Sequence, residues 1–320
     1  MSEAMDVDCG RVFEPQKPFE GGRVNVVQVG LGTNATFIQN IAGSRDEWDK
    51  EIGWMMEVVS VDRSDIISGV GVEPVKEHLQ TLHQSCCGYL PGVGLAQVAL
   101  GEEDAKQLPI HVLPQRTHDF LLKQVPKARR EDLRDHLAFL MNMSCVGTAH
   151  PELEAQRDWI QQRYNLKLHL EWRETEVWSW RKLLREFDFV GCELLIVDTE
   201  GHDAKVLRSM MSHCQEAQTV HGRKVWPDVI QFETMSHCDK VEGTGAEWAA
   251  IQALERNGYT LVHYSHHNSH LAFTEAIQNE NRVKKWVETI TCDTCGSRGS
   301  FPYSSDIQGI YCNKCITNSR

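Results

Sequence analysis

Three apolar runs in this chain stop at the residues from which sites are built, and that pattern admits few folds. Leu194 to Val197 ends in Asp198, Glu200, His202 and Asp203. Val229-Ile230-Gln231-Phe232 ends at Glu233, and Val24 to Val29 ends at the turn Gly30-Leu31-Gly32-Thr33-Asn34. Each run has the length of a strand. Open α/β sheets bind ligands outside the carboxyl ends of their strands. Three such ends carrying glycines, acids and a histidine predict an α/β sheet flanked by helices, with a cofactor-dependent site along one edge.

The rest of the chain supplies matching elements. A helix is expected over 36–42, another over 46–56, and a short strand over 58–62. The run over 69–73 reads as a strand ending in Glu73, and Pro74 suits the first turn of a helix over 75–83. A strand is expected over 95–100. Residues 102–170 are the least periodic; helices over 132–143 and 151–164 are expected within an insertion that covers the site and chooses its substrate. Helices over 178–187, 203–211 and 246–256 follow, the last capped by Asn257-Gly258. Strands over 259–264 and 271–274 flank a turn carrying His263, His266, His267 and His270, read as solvated. Trp172, Trp178 and Trp180 read as packing residues, and Arg129-Arg130 as a solvated face.

Composition narrows the function. The chain has 320 residues, 41% of them apolar, enough for one large domain with a small appendage. Its net charge of −12 gives no electrostatic footprint for nucleic acid or an acidic membrane. No stretch approaches the ~18 apolar residues of a membrane span. Residues 1–22 are acidic, with Pro15, Pro18 and Gly21-Gly22, and read as a loose leader rather than a signal peptide. A cytoplasmic setting is expected, with Cys9, Cys86, Cys87, Cys145, Cys192, Cys214 and Cys238 as reduced thiols.

Gly30 and Gly32 let the backbone turn tightly and approach a ligand, and Asn34 tolerates positive φ. The spacing Gly30-x-Gly32-x-x-Ala35 also fits a dinucleotide fingerprint. That rival wants an acid about twenty residues on, at a strand end. Asp49 and Glu51 fall there without strand character. Glu73 has the better frame and could accept both hydroxyls of an adenosine ribose; its bland role is to help a helix start.

In this order the pieces resemble the FkbM-type S-adenosylmethionine methyltransferases. The matching residues are Val26 to Asn34, Val72-Glu73-Pro74, Ala99-Leu100-Gly101, Leu195 to Asp203 with Val206-Leu207, and Ile230 to Glu233. The resemblance spans residues 23–275. It implies a Rossmann-like seven-stranded sheet whose last two strands form a hairpin, one of them antiparallel. It implies S-adenosylmethionine as cofactor and O-methylation of a hydroxyl on a small molecule or glycan. It carries Gly30, Gly32 and Glu73 over as cofactor contacts, with Gln28 and Asn34 at neighbouring contact positions, and Asp198 as the acid facing the methyl donor. Gln28 replaces the family's usual acid, and Gly32 and Asn34 exchange the family's asparagine and glycine.

Methyl transfer needs an acceptor oxygen held in line and relieved of its proton. Asp198, Glu200 and His202 alternate, so on extended backbone they would face one way. His202 is the first candidate base, since an unperturbed imidazole titrates at about 6.5; Asp198 is the second. Another reading makes Asp198 and Glu233 ligands for Mg²⁺. Simple capping of the following helix accounts for Asp203.

The tail has an order of its own. Cys292-x-x-Cys295 and Cys312-x-x-Cys315 are separated by sixteen residues, the spacing of a four-thiolate zinc ribbon. A hairpin over 301–311 is expected between the pairs. Some thirty residues bury too little surface to fold unaided, and metal would supply the missing stability. A linker helix over 276–289 leads into this ribbon over 290–320. Its charge is near neutral, so it fits a protein partner or the catalytic domain better than nucleic acid. The leading expectation is therefore an S-adenosylmethionine-dependent O-methyltransferase. The alternatives are an NAD(P)-dependent oxidoreductase and a non-catalytic binding module on the same fold.

Overall fold

The computed structural model describes residues 23–32, 66–86, 93–143, 151–264, 268–273, 303–304 and 309–310. Its centre is a seven-stranded mixed sheet. The strands are β1 (Arg23–Val29), β2 (Ile66–Val72), β3 (Val93–Ala96), β7 (Leu194–Val197), β8 (Val229–Glu233), β9 (Tyr259–Tyr264) and β10 (Asn268–Phe273), in the order β3-β2-β1-β7-β8-β10-β9. β1 pairs in parallel with β2 and β7, β2 with β3, and β7 with β8. β10 runs antiparallel to both β8 and β9, so the last two strands form a hairpin, as the resemblance implies.

The central strands are largely apolar because both faces are covered. Val24, Val26, Leu194 and Ile196 on one face are as buried as Val27, Val29, Leu195 and Val197 on the other. The second set joins one core with α5 (Trp180–Glu186), α6 (Asp203–His221) and α8 (Ala246–Arg256). Val206, Leu207 and Met210 give α6 a fully buried stripe, where each side chain contributes roughly 1.5–3 kcal/mol relative to exposure. α6 runs ten residues past the predicted end at Met211, because nothing after Met211 breaks a helix until Gly222, at φ 68°. α8 has its predicted bounds, closed by Asn257 and by Gly258 at φ 94°.

The run over 95–100 is not one strand. It divides at the exposed Gln97 into β3 of the large sheet and β4 (Ala99–Leu100) of a second sheet. That second sheet is completed by β5 (Ala105–Val112) and β6 (Glu171–Trp178), paired antiparallel. The stretch 102–170 is accordingly more regular than its sequence suggests. It carries α2 (Gln115–Gln124), α3 (Arg130–Asn142) and α4 (Pro151–Tyr164) around a core of their own, including Leu121, Leu133, Leu137, Leu153 and Ile160. α1 (Lys76–Cys86) follows β2 and packs Leu79 and Leu82 against Leu31. Among the tryptophans, Trp180 is fully buried, whereas Trp172 is half exposed beside the His111 ring and is not a core residue.

At the tail, β11 (Tyr303–Ser304) and β12 (Gly309–Ile310) pair antiparallel inside the stretch expected to form a hairpin. Cys292, Cys295, Cys312 and Cys315, the leader, the linker helix and the elements expected over 36–62 lie outside the described residues. No helix among the described residues is long and apolar enough to cross a membrane.

Candidate functional site at the strand ends

The carboxyl ends of the parallel strands meet along one edge. Gly30 N–H donates to the Val72 carbonyl at 2.9 Å, Asp198 N–H to Val29 at 2.9 Å, and Glu73 N–H to Ala96 at 3.0 Å. These bonds carry the ladders of four strands one residue past their ends and hold the tips side by side. Gly30, at φ 80°, comes so close to β7 that a Cβ there would lie 1.6 Å from the Asp198 carbonyl oxygen. Only glycine fits. The glycine turn, Glu73 and Asp198 therefore share one edge of the sheet.

Glu73 is closed on its neighbours. One carboxylate oxygen accepts from the amides of Leu31 at 3.1 Å and Gly32 at 2.9 Å. The other accepts from Val75 N–H at 2.9 Å and lies 3.2 Å from His78 Nδ1. A carboxylate offers about four acceptor sites, and Glu73, only 3% exposed, has four donor-capable neighbours on them. It stands where a ribose-binding acid would stand, but to accept ribose hydroxyls it must release donors it already holds. Gln28 lies two residues before the tip, buried in the sheet between Gly71 and Ile196. Gly32 adopts φ 55°; Asn34 lies outside the described residues.

The other side of the edge gathers acids. Val197 is in register with Phe232, which sets Asp198 beside Glu233. Asp198 is exposed, and the pKa of its carboxyl group is pushed well above the usual carboxylate range by desolvation, then by Glu233, Glu200 and Asp203. Burial, with Glu200 and Asp203, raises Glu233 to about 7 against the pull of His237.

The expected face of Asp198, Glu200 and His202 does not form. Glu200 takes φ 54° and Gly201 φ 104°, so the chain turns instead of extending. A side chain on Gly201 would run into Val241 Cγ2 at 2.6 Å and the His237 carbonyl at 2.8 Å, which makes this turn a glycine requirement. His202 becomes the buried residue that precedes α6. Asp203 is the first residue of that helix and does not cap it: its carboxylate braces the preceding turn, accepting from Thr199 Oγ1 at 3.0 Å and from the Gly201 amide at 3.2 Å.

The imidazole that joins the acids is His237, on the first turn of α7 (His237–Glu242). Its Nδ1 lies 3.0 Å from an oxygen of Glu233 and 3.0 Å from an oxygen of Glu200. Its Nε2 lies 3.7 Å from Glu152 of α4, which also pairs with Lys240. The helical insertion thus reaches the acid cluster. Desolvation opposes charge on His237, but Glu200 and Glu233 outweigh it and raise the pKa to about 10. His237 is an imidazolium at neutral pH and a poor general base. Its spacing from Glu233 was visible in Glu233-Thr-Met-Ser-His237, but Ser236, at φ 59°, turns the chain back without any glycine to mark it.

Compared with family models, with curated proteins and with solved structures, the chain matches none.

Proposed function

We propose that this chain is an S-adenosylmethionine-dependent O-methyltransferase of the FkbM type, acting on a hydroxyl of a small molecule or glycan. The observation that carries the reading is the meeting of the Gly30 turn, Glu73 and Asp198 at one edge of a parallel sheet. Strand order supports it. Numbered within the large sheet, the strands run 3-2-1-4-5-7-6, with the antiparallel strand set inside the last position. The dinucleotide fold has the order 3-2-1-4-5-6 with no such insertion, which disfavours the NAD(P)-dependent oxidoreductase.

In this reading the amides of the Gly30–Gly32 turn and the Glu73 carboxylate hold the cofactor, which supplies an already activated methyl group. The protein positions an acceptor hydroxyl beside Asp198, worth up to ~7–11 kcal/mol in the best-oriented systems. Asp198, exposed at the strand end, takes the hydroxyl proton. The α2–α4 insertion forms the acceptor side, since Glu152 reaches the cluster beside Asp198. The tail cysteines Cys292, Cys295, Cys312 and Cys315 bind a structural zinc in the same reading, as a surface for a protein partner.

One observation favours a second reading, a non-catalytic binding module: all four acceptor sites of Glu73 are taken. Calorimetry with S-adenosylhomocysteine and NADH in parallel decides. S-adenosylhomocysteine alone should bind. NADH binding without it would remove the methyltransferase, and binding of neither would leave the module.

A further inference from the structure

The geometry points to a divalent-cation site formed by Glu200, Glu233 and His237, for an ion of the Mn²⁺, Fe²⁺ or Zn²⁺ class. The three ligand atoms come from three elements, the turn after β7, the end of β8 and the start of α7, and lie within 4.8 Å of one another.

Two features favour a cation over a proton at the centre of this group. His237 Nδ1 carries at most one proton, yet two carboxylate oxygens stand 3.0 Å from it. Glu233 Oε2 is hydrogen-bonded to Nδ1. Glu200 Oε2, at the same distance and buried, accepts no hydrogen bond among the described residues. A single N–H shared between the two oxygens satisfies each of them only in part. A shared cation accounts for both. Ligands at right angles around an ion with ~2.1 Å bonds stand about 3.0 Å apart, which matches both separations.

Charge balance is the second feature. Glu200 and Glu233 put two carboxylates on one imidazole, with Asp198 beside Glu233, and among the described residues no lysine or arginine pairs with any of the three acids.

The donor set chooses the ion. Imidazole nitrogen suits borderline transition metals, whereas Mg²⁺ and Ca²⁺ take oxygen ligands. A histidine that ligates through one ring nitrogen commonly has the other oriented by a carboxylate, and Glu152 stands 3.7 Å from Nε2. The ligand set differs from the Asp198–Glu233 pair expected for Mg²⁺. Asp198 is left beside the ion, open to an acceptor. Cation binding here does not rest on the methyl-transfer reading and is measured without S-adenosylmethionine.

Manganese is the probe because it has little affinity for the thiolates at Cys292, Cys295, Cys312 and Cys315. The full chain, first treated with chelator and then freed of it, is titrated with Mn²⁺ while the electron paramagnetic resonance signal of the free ion is followed. One Mn²⁺ per chain is expected, with Mg²⁺ at least tenfold weaker as a competitor. Glu200→Gln and Glu233→Gln should each weaken binding at least tenfold, and Cys292→Ser should leave it unchanged. Absence of Mn²⁺ binding by the unmodified chain overturns the site whatever the variants do. So does binding that survives both glutamate substitutions or disappears in Cys292→Ser.

Discussion

The two sides of the strand-end edge treat their carboxylates in opposite ways. Glu73 is surrounded by donors, with three backbone amides and an imidazole nitrogen on its two oxygens. Asp198, Glu200 and Glu233 stand among one another with a single histidine between them. The first arrangement is complete: it ties β2 to the turn after β1 and needs nothing more. The second is short of both donors and positive charge, and such a deficit in a folded protein suits a ligand better than a core. An acid at a strand end is therefore ambiguous by itself. The groups facing it decide whether it braces the fold or waits for a partner.

The hinge between the two sides is Gly30, and the harshest test is to fill it. In Gly30→Ala the new Cβ would meet the Asp198 carbonyl at 1.6 Å while the residue keeps φ 80°. Backbone, not a flexible side chain, would have to move, so the loss should exceed ~4 kcal/mol. Urea denaturation should find the variant unfolded or nearly so. A stable Gly30→Ala would mean that the two sides are not locked together at this point.

The crowded side should reveal itself in pH dependence. Glu233 titrates at about 7 in the folded chain, above its ordinary carboxylate value, so the folded state binds the extra proton. Stability from that proton is present at low pH and is lost as pH rises from about 4.5 to 7. Glu247, buried and also raised to about 7 by desolvation and Asp239, acts in the same direction. His237, raised to about 10, contributes stability below about 6.5 that fades as pH climbs toward 10. With chelator present, the melting temperature should fall steadily from pH 5 to 9. Glu233→Gln should flatten the acid part of that slope. A melting temperature that rises over this range would remove the picture of uncompensated acids.

How much of this was legible differs element by element. β1, β7 and β8 could be read because each is a largely apolar run closed by glycine or acid, the mark of a strand buried on both faces. β5 and β6 could not. Glu171–Trp178 is largely polar and buries only Thr175 and Val177, and it is a strand because β5 pairs with it. The Gly30 turn and Glu73 were visible as candidates; that Glu73 is saturated depends on amides 41 and 42 residues away. The Asp198–Glu200–His202 alternation misled because Glu200 adopts a left-handed conformation that its side chain does not favour. His237 was missed for the same kind of reason at Ser236. Periodicity reports regular backbone, and both errors sit where the backbone is irregular.

Glu73→Gln gives the smallest effect and separates the two roles of that residue. The substitution turns one acceptor oxygen into an N–H₂ donor facing donors, either the Leu31 and Gly32 amides or Val75 and His78, whichever way the amide group turns. One pair loses its acceptor, which costs about 2 kcal/mol for buried groups left unmatched. If bracing the turn is the whole role of Glu73, the melting temperature falls and the affinity for S-adenosylhomocysteine stays within about twofold, since every donor lost belongs to the protein. If the carboxylate releases those amides to hold a ribose, affinity falls tenfold or more, as expected for ~1.4 kcal/mol of lost binding, on top of the same destabilisation. Calorimetry and thermal denaturation on one variant thus read the two contributions apart. An unchanged melting temperature would break the comparison outright, because four close donors around a buried carboxylate must then count for nothing in the fold.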